Sequence, residues 1–136
     1  MPNFAILGPM TALGFLTFAV WVTMFARRIP YLRGKDLDTM AVRDARPVAP
    51  AWVAAPNDNL LNLFELPVLF YVLCLALALT GRGDDAMLFA AWVYVALRVA
   101  HSIVHCTYNK VLHRFVAYFL STLVLFGMWV GFALGL

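Results

Sequence analysis

From Phe4 to Ala26 the chain carries no charged side chain. At about 1.5 Å per helical residue, a run of roughly 23 residues spans a hydrocarbon core of about 30 Å. No Lys or Arg precedes the run and no small-x-small cleavage site follows it, which favours a retained transmembrane helix over a signal peptide. Three more apolar runs predict helices over about residues 58–79, 86–108 and 114–135. With 136 residues, 64% hydrophobic and 12% charged, and a mean hydropathy of +0.85, the chain has more apolar surface than a soluble domain of this size can hide. The expected fold class is an all-α integral membrane protein, one domain built as a four-transmembrane-helix bundle.

Charge sets the expected topology. Arg27, Arg28, Arg33 and Lys35 follow the first run, and Arg43 and Arg46 lie a little further on. The positive-inside rule places this loop in the cytoplasm and both termini outside. A formal charge of +3 would suggest nucleic acid in a soluble protein. Here the cations flank membrane segments, so anionic headgroups explain them and no nucleic-acid partner is expected. Leu37, Met40, Val42, Val48 and Trp52 make the loop too apolar for a free linker, so it is expected to order against the bundle. Asn57 or Asp58 is the expected cap of the second helix, and Pro67 is expected to kink it one turn above Asn62.

Polar side chains recur where lipid would not tolerate them. On the second helix Asp58, Asn62 and Glu65 stand at i, i+4 and i+7, one helical face. Arg98, Ser102 and His105 repeat that spacing on the third, with His101 beside them, and Arg114 and Tyr118 open the fourth. Three stripes at similar depth predict a polar cavity opening to the cytoplasm, with Glu65 facing Arg98. A Glu–Arg pair alone would serve to orient the bundle. The company of Asn62, His105, Arg114 and Tyr118 favours a ligand site, as intramembrane ionisable groups often do. His101 and His105 together with Glu65 would make two imidazoles and a carboxylate, a metal set that lacks further ligands, and no metal is expected. Cys74 and Cys106 lie in apolar runs and read as small buried hydrophobes. Gly127, Gly131 and Gly135 form a small-residue stripe suited to close helix approach.

These motifs resemble the MAPEG family, the membrane-associated proteins of eicosanoid and glutathione metabolism, and most of all its bacterial members of unassigned role. The likeness rests on Asn62-x-x-Glu65-x-Pro67, then Arg98-x-x-His101-x-x-x-His105, then Arg114-x-x-x-Tyr118, and extends over nearly the whole chain. It implies a homotrimer in a bacterial inner membrane, with glutathione held between subunits near the cytoplasmic face and a lipophilic small molecule or membrane lipid as the other ligand. By the resemblance, Asn62 and Glu65 contact the peptide and its amino group, Arg98 contacts a carboxylate or holds Glu65, His105 and Tyr118 line the site, and Arg114 stabilises the thiolate. The chemistry fits: guanidinium groups suit carboxylates, and a nearby cation favours a thiolate. The chain departs from the family's enzymes in having Asp58 in place of an arginine, His105 where tyrosine is frequent, and a proline two residues after the glutamate. A glutathione-dependent transferase or peroxidase is the first expectation. A non-catalytic binder of a lipid or partner subunit is the second, and a metal-dependent oxidoreductase trails.

Overall fold

The computed structural model describes residues 4–36 and 49–135. A 3-10 turn, Phe4–Ile6, leads into α1, Leu7–Leu32. The remaining helices are α2, Ala51–Leu63; α3, Leu66–Thr80; α4, Asp85–Cys106; and α5, Val111–Leu134. Taken as spans, with α2 and α3 counted as one, four helices are long and apolar enough to cross a membrane. The expected ordering of Leu37, Met40, Val42 and Val48 concerns residues outside the described ones. Trp52 is described: it opens α2, exposed, with its ring edge-on to Tyr31 at 6.1 Å.

The largest boundary differences from the sequence expectation are in α1 and α2; α4 also ends earlier, at Cys106, and α5 starts earlier, at Val111. α1 continues through both arginines and Pro30 to Leu32, past the expected end at Ala26. The second span starts at Ala51, capped by Pro50 rather than by Asn57 or Asp58, and runs straight through Pro56. Proline has no N–H for the carbonyl four residues back, which here is Trp52. Arg27 fills that gap, its Nη1 donating to the Trp52 carbonyl at 3.2 Å. A donor from α1 thus lets α2 tolerate its proline.

The expected kink is a break. α2 stops at Leu63, Phe64 and Glu65 leave helical geometry, and α3 restarts at Leu66 with Pro67 in its first turn. Proline is compatible with a first turn, where its missing N–H costs no bond. At the other end Gly81 takes a left-handed φ of 69° and terminates α3. Asp84 then caps α4, its Oδ1 accepting from the Met87 N–H at 2.8 Å.

The core is apolar and lies between α1, α3, α4 and α5: Leu13, Phe70, Leu73, Leu77, Tyr94, Leu125 and Met128 are all buried. Phe70 and Tyr94 stack with centroids 4.4 Å apart. Outward-facing Phe15, Phe18, Leu79 and Phe126 are each at least two-thirds exposed. Only lipid or a neighbouring protein can cover such a surface. Within the glycine stripe, Gly131 leaves room for the Met87 methyl and Gly135 for the Arg82 guanidinium, which lies 4.8 Å above the Phe132 ring. Gly127 meets nothing within 4 Å. Two of the three glycines therefore accept side chains from elsewhere in the same chain, Met87 of the neighbouring α4 and Arg82 of the turn before it.

Candidate functional site

α2 and α5 scarcely touch, and between them lies a cavity of about 480 Å³. That volume falls within the roughly 300–1,000 Å³ usual for small-molecule sites. Asp58, Asn62 and Glu65 form one wall, His101 and His105 the floor, and Arg114 and Tyr118 the opposite wall. Leu61, Val111 and Phe115 make an apolar rim. Asp58 and Glu65 are exposed, Asn62, Arg114 and Tyr118 are half-buried, and both histidines are buried. The break supplies part of this shape. Non-helical backbone at membrane depth is tolerated where it lines a cavity or is covered by protein, and Glu65 occupies such a position.

Arg98 is placed differently from expectation. It is completely buried, lies behind Tyr118 rather than on the cavity wall, and forms no ion pair with Glu65 among the described residues. Its Nη2 donates instead to the Asn62 carbonyl at 3.1 Å. In an unbroken helix that carbonyl would bond the Leu66 N–H; the guanidinium takes its place and meets the negative end of α2. The Tyr118 ring covers the guanidinium, 5.3 Å from its carbon to the centroid. The Arg98 Nε and Nη1 are buried without partners.

Arg114 organises the floor. Its Nη1 donates to Nε2 of His105 and to Oδ1 of Asn109, both at 2.9 Å. Its carbonyl accepts from Nδ1 of His101 at 3.0 Å. Asn109 reaches it from a left-handed backbone with φ 49°, in the short connector between α4 and α5. Tyr118 also leans on the His101 ring, centroids 5.8 Å apart.

Asn59, one residue from Asp58, escaped the sequence reading. It is fully buried, accepts from the Ser102 hydroxyl at 3.3 Å and donates towards the Cys106 sulfur at 3.5 Å. It ties α2 to α4 beneath the cavity and explains the Ser102 and Cys106 positions. An amide three residues before Asn62 was the available signal. His113 lies outside the site, exposed and bonded to the Tyr108 hydroxyl at 3.0 Å. No group of three His, Cys, Asp or Glu among the described residues could hold a metal, so the His101–His105–Glu65 set is not gathered as a ligand sphere.

Four apolar spans, with a polar, ligand-sized cavity lined by the second, third and fourth of them, define a polytopic integral membrane protein. A model of the MAPEG family matches residues 6–134, and the chain belongs to that family. No curated protein and no solved structure matches the chain significantly.

Proposed function

We propose that the chain is a glutathione-dependent transferase or peroxidase of lipophilic electrophiles. The carrying observation is that Arg114, the family's thiolate-stabilising position, stands on a cavity wall opposite Asn62 and Glu65. Two of its acceptors, His105 and Asn109, hold the guanidinium in place. A cation preorganised beside a thiol favours the nucleophilic thiolate. Asn62 and Glu65 bind the peptide and its amino group, and His105 and Tyr118 complete the pocket. Arg98 acts from behind as a positioning residue, holding the Asn62 backbone. The apolar rim of Leu61, Val111 and Phe115 admits the second substrate from the bilayer. The working unit is a homotrimer in a bacterial inner membrane, with the cavity end facing the cytoplasm. Family membership and the uncovered apolar faces support this assembly.

One observation favours a second reading, a non-catalytic binder of a lipid or partner subunit. Asp58 and Glu65 put two carboxylates on the cavity wall against one arginine, which opposes an anionic tripeptide. Calorimetry of the detergent-solubilised protein with glutathione separates the two. Heat saturating at or below millimolar concentration supports the transferase or peroxidase; none at that concentration leaves the binder.

A further inference from the structure

Arg114 holds two histidines by its two ends, and each end dictates a tautomer. A carbonyl oxygen only accepts, so the 3.0 Å contact requires His101 to donate through Nδ1–H. A guanidinium only donates, so the 2.9 Å contact makes Nε2 of His105 the acceptor. In a neutral imidazole the other nitrogen is then fixed as well. Nε2 of His101 presents a bare lone pair, and Nδ1 of His105 carries hydrogen. Both remaining nitrogens are buried without a partner, and both residues border the cavity. Leaving an acceptor buried and unpaired costs about 1–3 kcal/mol. A site that receives a proton or hydrogen bond from its ligand has a use for such a group.

On the glutathione reading above, we infer that His101 is the general base of the site, its Nε2 taking the thiol proton while the Arg114 guanidinium faces the sulfur. In this step the S–H bond breaks, its electron pair stays on sulfur, and an N–H bond forms at Nε2. No further reactant is needed. The Arg114 carbonyl, already bonded to Nδ1–H, orients the ring and stabilises the imidazolium, as a third group does for a base beside its nucleophile. His105 is a positioning residue that holds the guanidinium. The groups around His101 are Arg98 and His105 on its own helix, Asp58 and Glu65 across the cavity, and Arg114 and Tyr118 from α5.

The test counts protons. Glutathione is titrated into the detergent-solubilised full chain in two buffers of different ionisation heat, with thiolate absorbance followed in parallel. If the proton moves to His101, thiolate appears with almost no net proton release. In His101→Gln the thiolate signal falls by about tenfold or more at the same pH, while affinity changes by less than about threefold. One proton released per thiolate in the wild-type chain overturns the inference and leaves the glutathione reading standing, as does an unchanged signal in the variant. Absence of any glutathione heat in the wild-type chain overturns the reading itself, and the inference with it. The wild-type proton count does not depend on any variant folding.

Discussion

Nη2 of Arg98 lies 3.1 Å from the backbone carbonyl of Asn62, so the buried cation of this bundle meets a helix end rather than a carboxylate. A broken helix at membrane depth exposes carbonyls that lipid cannot satisfy. Arg98 answers one of them, and Glu65 is left free to line the cavity.

Replacing Arg98 with Leu strands that carbonyl. The expected loss is about 1–3 kcal/mol of stability, the cost of a buried acceptor without its donor. Unfolding in detergent measures it. Hydrogen exchange adds a local readout: amides at the start of α3, Leu66 and Val68 to Phe70, should exchange faster. Unchanged exchange there would mean that the break is held by something other than Arg98.

Pro67→Ala restores an N–H facing the Leu63 carbonyl and removes the ring that suits a first turn. The segment can then close towards a continuous helix, which moves Glu65 relative to Asn62. Stability should hold or rise, while glutathione affinity falls by about tenfold, near 1.4 kcal/mol. Calorimetry beside a thermal melt checks both; equal affinity would separate the break from the site.

Asp58→Arg reverses a charge on the cavity wall. One carboxylate then faces two arginines, and an anionic tripeptide should bind about tenfold tighter, roughly 1.4 kcal/mol. The gain should shrink as salt is raised, because the residue is exposed and its field is screened. Weaker glutathione binding in this variant would count against the carboxylates being the obstacle.

The glycine stripe divides into two tests. A methyl at Gly135 meets the Arg82 guanidinium and pushes it from Phe132, costing about 0.5–2 kcal/mol of cation–π contact in any oligomeric state. At Gly127 nothing within the chain is touched. Gly127→Leu should therefore leave a monomer's stability intact and lower the oligomer's, provided this face packs on a neighbour. Mass measurement in detergent reads the difference; an unaltered oligomer would turn the Gly127 face towards lipid.

Much of the architecture was legible because a membrane imposes length: runs of about 20 apolar residues have few other uses. The polar stripes anticipated several side chains that line one cavity, Asp58 and Asn62 on α2, His101 and His105 on α4, and Arg114 and Tyr118 on α5, because helical spacing groups such residues on one face. The start of α2 was hidden by Pro56, a local breaker whose defect is repaired from α1 by Arg27. The break at Phe64 and Glu65 was hidden in the same way. Pro67 suggested a kink, and the donor that stabilises a complete interruption comes from Arg98, in another span. The role of Asn59 was hidden because its partners, Ser102 and Cys106, lie on α4 rather than on its own helix. In each case the deciding bond joins residues distant in sequence, beyond the reach of a local pattern.

The break also bears on how the chain enters the membrane. α2 and α3 have 13 and 15 residues, about 20 and 23 Å at helical rise, so neither crosses a hydrocarbon core of about 30 Å unaided. Joined, they cross with an unsatisfied seam until Arg98 arrives. That residue is synthesised a full helix later, so the second span reaches its final form only together with the third. Biogenesis of this bundle should proceed by pairs of spans, with the nascent chain held beside the insertion machinery until α4 has emerged.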